Sequence, residues 1–213
     1  DNGRFLVFAS VANIAEKLLT PCDHFSDQEL PFCRHVYLID RETSEAELIS
    51  VSDRGVPANG VSNYAYISND GRFVLFDSFA TNLTDIPICT KPFISCPQVY
   101  LRDRQQNRTI LVTQPSHGQI PDDGSFAADI SGDGAYAAII SGAINLNDSH
   151  ASVSTYNRRG FILDLFSYLT LTTTWSEPIS PVPAAPATAV PHLIAQAEHI
   201  SVAGWSPDSE WLA

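Results

Sequence analysis

Three short signatures recur in one order along this chain, and that self-similarity restricts the fold more than any other feature. Asn2-Gly3-Arg4-Phe5, Asp70-Gly71-Arg72-Phe73 and Asp133-Gly134-Ala135-Tyr136 occupy equivalent places, and Asp208-Ser209-Glu210-Trp211 opens a further copy. A second signature follows each: Ser10-Val11-Ala12-Asn13-Ile14, then Ser78-Phe79-Ala80-Thr81-Asn82-Leu83, then Ser141-Gly142-Ala143-Ile144-Asn145-Leu146. The third is Tyr37-Leu38-Ile39-Asp40, Tyr100-Leu101-Arg102-Asp103 and Phe161-Ile162-Leu163-Asp164. Gly3, Gly71 and Gly134 stand 68 and 63 residues apart. A fixed period of this size marks an array of supersecondary units, none of which can bury its apolar face alone.

The middle copy shows what one unit is. Tyr64-Ala65-Tyr66-Ile67 is an aromatic and β-branched run that stops at Ser68-Asn69-Asp70-Gly71, a strong turn signal. Arg72 to Ser78 reads as a second strand, Gln98 to Asp103 as a third after a long loop, and Thr109 to Thr113 as a fourth. Strands over 4–10, 35–41 and 46–51 are expected before it, and over 126–130, 135–141, 160–165 and 168–173 after it. No helical periodicity competes. Four-stranded antiparallel meanders repeated along a chain are the blades of an all-β β-propeller, which leaves few open edges. A β-sandwich of a dozen strands has no reason to repeat its turns in register. The repeats are expected over 1–63 (strands B to D only), 64–125 and 126–174. Residues 175–197 form a Pro- and Ala-rich insertion, and 198–213 start a fourth repeat.

Ile67-Ser68-Asn69-Asp70-Gly71-Arg72-Phe73-Val74-Leu75-Phe76, then Ala80-Thr81-Asn82-Leu83, then Val99-Tyr100-Leu101-Arg102-Asp103-Arg104, resembles the TolB-type propeller repeat. It is similar to the long-loop variety of bacterial secreted and cell-surface proteins. Ser206-Pro207-Asp208 matches that family's Ser-Pro-Asp-Gly turn, with Ser209 in the glycine's place. The resemblance implies a fold and says little of activity, because such propellers serve unrelated roles. Closed propellers have about four to eight blades, and this chain carries about three. Either further blades lie in a longer protein, or strands are completed between chains.

The net charge is −12, with 24 acidic and 12 basic residues, and only Lys17 and Lys91 are lysines. No basic stripe exists for a nucleic-acid backbone, and no apolar run is long enough to form a transmembrane segment. Cys22 and Cys33 fall in the long loop of the first repeat, and Cys89 and Cys96 in that of the second. One pair per equivalent loop points to disulfides Cys22–Cys33 and Cys89–Cys96, each contributing about 2–3 kcal/mol. A zinc site is the rival, though neither spacing is that of a zinc ribbon. Disulfides would place the chain outside the cytosol: secreted, periplasmic or at the cell surface.

Side chains with catalytic potential have plainer readings. Asp70, Asp133 and Asp208, with Gly3, Gly71 and Gly134, are turn residues, the glycines supplying positive φ. Asp40, Asp103 and Asp164 end equivalent strands and are expected to accept backbone N–H bonds, as are the side chains of Asn13, Asn82 and Asn145. Asp122-Asp123-Gly124 and Asn145-Leu146-Asn147-Asp148 are the nearest approach to a calcium ligand set, without EF-hand spacing. No cofactor is expected. Ser206 lacks a nucleophile elbow's strand–turn–helix setting. His24, His35, His117, His150, His192 and His199 read as loop and surface residues. Asn82, Asn107 and Asn147 begin glycosylation sequons, of which Asn107 lies in a hairpin turn.

These observations lead to a non-catalytic extracytoplasmic propeller module, a binding or structural scaffold. Its partner is a protein, a glycan or further copies of itself. One alternative is a subunit of a surface layer, sheath or filament assembled by edge-strand completion. Another is the propeller part of a larger, prolyl-oligopeptidase-like hydrolase whose catalytic domain lies elsewhere. The prolines at 178, 181, 183, 186 and 191 make 175–197 an extended excursion across the surface, either a passive long loop or a strap that packs on a neighbouring subunit, and the apolar Leu193-Ile194-Ala195 favours docking.

Overall fold

The computed structural model describes residues 3–15, 33–86, 88, 90–91, 94–115, 119–146, 159–166 and 192–196. The first sheet holds β1 (Phe5–Ser10), β2 (His35–Asp40) and β3 (Glu45–Leu48) in that order. The next two strands are β4 (Ser62–Ile67) and β5 (Phe73–Ser78), followed by a small hairpin of β6 (Thr90–Lys91) and β7 (Ile94–Ser95) inside the second long loop. With β8 (Gln98–Asp103) and β9 (Arg108–Leu111), they form the second sheet, ordered β4-β5-β8-β9. The third sheet is β10 (Ser125–Ile130), β11 (Tyr136–Ser141), β12 (Arg159–Asp164) and β13 (His192–Gln196). Every pairing is antiparallel between chain neighbours within a sheet. These are three blades of a β-propeller, the all-β architecture expected.

The alternation of β5 explains why the blades stack. Val74 and Phe76 face the first sheet and pack with Val36, Leu38 and Ile49 from that side and with Tyr100 of the neighbouring β8. Phe73 and Leu75 face the third sheet and pack with Leu101, Ile139 and Phe161. A strand buried on both faces must be apolar at successive positions, and Phe73-Val74-Leu75-Phe76 is. In β1, with less cover, Leu6 is 51 % exposed. The inner strand of each later blade seats on its predecessor: β4 packs on β1 and β2, and β10 packs on β4, β5 and β8.

The third blade departs from the sequence expectation. Its fourth strand is β13, which pairs with β12 through Arg159↔Gln196 and Phe161↔Leu193. The end of the stretch read as an insertion over 175–197 is therefore part of the blade, and the third repeat extends past 174. In the other repeats a short turn leads into the fourth strand, so the nearest run, 168–173, had the expected spacing; it lies outside the described residues. Leu193 and Ala195 pair with Phe161 and Gly160 of β12, within their own sheet. The inner strands also begin earlier than expected, at Ser62 and Ser125.

Candidate functional site

Each Asp–Gly turn is built by its own side chains. Ser68 Oγ donates to Asp70 Oδ1 at 2.6 Å, the Arg72 amide donates to the same oxygen at 2.9 Å, and the Phe73 amide donates to Ser68 Oγ at 3.0 Å. Ser131, Asp133, Ala135 and Tyr136 repeat the arrangement. Gly71 and Gly134 have φ of 72° and 71°. A second constraint lies across the blade seam. The Phe5 ring lies where a Cβ on Gly71 would be, and a Cβ on Gly134 would come 2.7 Å from Phe73. The aromatic residue of one blade thus caps the turn glycine of the next.

The arginine between glycine and aromatic residue has a fixed partner, which sequence reasoning missed. Arg4 Nη2 lies 2.6 Å from Asp40 Oδ2, and Arg72 Nη2 lies 2.7 Å from Asp103 Oδ2. The same aspartates accept backbone amides, Asp40 from Glu42 and Asp103 from Gln105 and Gln106. Hydrogen bonding from Arg4 holds the Asp40 carboxyl down at about 2. Burial opposes ionisation of Asp103, but Arg72 and the Gln106 and Gln105 amides outweigh it, leaving the carboxyl below its usual range. Arg4 and Arg72 also sit over Phe5 and Phe73, 4.9 and 4.5 Å from the ring centres. In the third blade Ala135 takes the arginine's place opposite Asp164.

The recurring asparagines clamp one blade to the connection before it. Asn82 accepts from the Asn59 amide at 3.0 Å and donates to Pro57 O at 2.8 Å, while Asn59 accepts from the Thr81 amide. Asn145 does the same with the Asp122 amide and Ile120 O, and Asp122 accepts from the Ile144 amide. Asp123 accepts from the Gly124 amide. The calcium candidates Asp122, Asp123 and Asn145 are thus engaged with backbone; Asn147 and Asp148 lie outside the described residues. Among the described residues no three His, Cys, Asp or Glu side chains gather as a metal cluster.

His35 is a correction: it is fully buried at the start of β2, with Nδ1 3.1 Å from Ser50 Oγ. Gln98 stands at the same place in β8, bonded to Thr113. The repeat needs a polar residue there to pair with the strand that follows, a signal visible only once the copies are aligned. Burial pushes the His35 imidazole down to about 4. His192 lies in β13; His24, His117, His150 and His199 lie outside the described residues, as do Asp208, Cys22 and Cys89. Cys33 and Cys96 are buried just before β2 and β8, and neither is a free thiol. Asn107 is exposed in its turn with φ 55°, its Oδ1 accepting from Arg102.

An open groove of about 880 Å³ runs beside β9, between the connection around Asp53–Val56 and the start of the second long loop. Val56, Ile86, Ile110 and Ile120 give it an apolar floor, and Arg54 and Asp85 pair across its rim at 3.6 Å.

No family model matches the chain, and no curated protein matches it. Solved structures similar to it include a TolB candidate from Agrobacterium tumefaciens, at 14 % identity and TM-score 0.36, over 62 % of this chain and 38 % of that one. TolB from Acinetobacter baumannii is similar at 14 % identity and TM-score 0.34, over 84 % of this chain and 42 % of that one. The chain thus corresponds to less than half of either.

Proposed function

We propose that this chain is a non-catalytic propeller module working outside the cytosol as a binding scaffold, whose contact surface is the groove at the second long loop. The observation that carries this reading is the division of labour among its side chains. The repeated Asp, Arg and Asn residues are bound to the turns and connections of the blades themselves. The groove, by contrast, adds side chains outside those signatures, Val56, Ile86 and Ile120 on its apolar floor and Arg54 and Asp85 on its charged rim, the character of a surface for a protein or glycan. Disulfides Cys22–Cys33 and Cys89–Cys96 would hold the long loops to their blades and suit an oxidising compartment.

The second reading, assembly with further copies, is favoured by the first sheet. It has three strands where the other two blades have four, and β1 has no partner on the side away from β2 among the described residues. A strand from another chain would fill that edge.

The test joins a peptide map without reduction to the solution mass of the full chain. Peptides linking Cys22 to Cys33 and Cys89 to Cys96, in a protein that stays monomeric, support the scaffold. Regular polymers move the reading to assembly. Free thiols at all four cysteines refute the extracytoplasmic assignment.

A further inference from the structure

Asp77 is the one residue of β5 that contradicts its surroundings. It follows Phe73 and Leu75 on the face turned to the third blade and is fully buried. The equivalent positions in the other repeats, counted from Ser10 and Ser141, are Ala9 and Ile140, so the repeat does not require an acid there. Among the described residues neither carboxyl oxygen has a hydrogen-bond partner, although the amides of Ala127 and of Asp77 itself lie nearby.

Among the described residues, the groups that face Asp77 offer it no positive charge. Opposite it on β4 is Asn63, whose Oδ1 is taken by Arg34 at 2.9 Å. The titratable groups nearest on β4 are the phenols of Tyr64 and Tyr66, and on β10 the acid Asp129, whose charges meet around the Tyr66 hydroxyl. On β8 the neighbour is Val99, with Gln98 bonded to Thr113 and to Asp123 O. Arg102 of β8 stands opposite Val74, on the other face.

The strands that cover Asp77 are interrupted where they pass it. β4 has a register shift between Asn63 and Tyr66, with Tyr64 at φ 36°, and β10 has one between Ala127 and Asp129. Bulged strands lose ladder bonds locally, and segments with fewer protected backbone bonds open at lower free energy.

We propose that the junction of the second and third blades is a proton-operated clamp, closed while Asp77 is a neutral acid and loosened when Asp77 becomes a carboxylate. Burial pushes the Asp77 carboxyl up from 3.8 to about 7. A raised carboxyl favours the closed junction fully below 3.8, and the advantage is lost as pH rises towards 7.

The test is hydrogen exchange of the full chain, corrected for intrinsic rates, in the wild type and in Asp77→Asn. In peptides from β4 and β10, the wild-type opening constant divided by that of the variant should rise about tenfold per pH unit between about pH 5 and pH 7, then level off. A ratio that does not change with pH overturns the clamp, as does an equal change in peptides from β2 and β3. Should Asp77→Asn fail to fold, the carboxyl carbon shift of Asp77 in the wild type decides. A titration midpoint near 7 supports the proposal, and one below about 5 overturns it.

Discussion

Replacing Gly71 with alanine tests the inter-blade seam most directly. Two costs arise at this position. The first is backbone strain: at φ 72° an L-residue lies in the left-handed region, at about 1–2 kcal/mol. The second is steric, because the new Cβ would meet the Phe5 ring inside 3.0 Å; overpacking of this kind costs about 1–3 kcal/mol. Gly55 separates the two, since it has φ 73° and nothing within 4 Å of an added Cβ. Gly55→Ala should therefore lose only the strain, and Gly71→Ala about 1–3 kcal/mol more. The reduced entropy of the unfolded chain is common to both variants and cancels. Urea unfolding followed by far-ultraviolet circular dichroism measures the difference through the midpoint at constant slope. A double-mutant cycle with Phe5→Leu completes the test, because loss of the ring should remove most of the excess. If Gly71→Ala costs no more than Gly55→Ala, or if the excess survives Phe5→Leu, the seam is not what requires glycine.

Other outcomes follow from the same contacts. Arg72→Ala leaves the fully buried Asp103 without its charged donor and should cost about 1–3 kcal/mol in urea unfolding; Ala135→Arg, which restores the repeat's pattern opposite Asp164, should gain up to about 1 kcal/mol. His35 and Asp77 should oppose each other in pH dependence. The imidazole held down to about 4 contributes stability that is present above 6.5 and lost as pH falls towards 4, whereas Asp77 contributes stability that is lost as pH rises from 3.8 towards 7. The wild type should therefore vary little between those limits, Asp77→Asn should become more stable with rising pH, and His35→Gln less stable; parallel curves for all three would contradict the assignment. In a secretory host, Asn107→Gln should remove one glycan from the folded, secreted protein by intact mass. Asn82→Gln should remove none, because Asn82 is engaged at both ends of its amide.

The blades were legible because their information is local and repeated. An Asp–Gly turn between two apolar runs defines a hairpin by itself, and three copies in register make an accidental match untenable. The strand ends at Asp40 and Asp103 and the backbone bonding of Asn82 and Asn145 followed from the same periodicity. The fourth strand of the third blade was not legible there. The chain travels through the Pro-rich stretch before β13, and strand spacing carries no information across such a connection. Spacing likewise could not show that Arg4 meets Asp40, because those residues join only when β1 pairs with β2.

Three properties belong to the tertiary structure alone. Gly71 in the sequence is a turn residue; only the stacking of the first blade on the second adds Phe5 as a reason for it. His35 reads as an ordinary polar residue until β2 is enclosed. Asp77 reads as one polar letter in an apolar strand, and the strand's alternation then turns it towards the third blade, where water is excluded. Local sequence determined which segments become strands, because turn chemistry and alternation act over a few residues. Which polar groups lose their water was decided by the packing of blade on blade, because burial depends on neighbours far away in the chain.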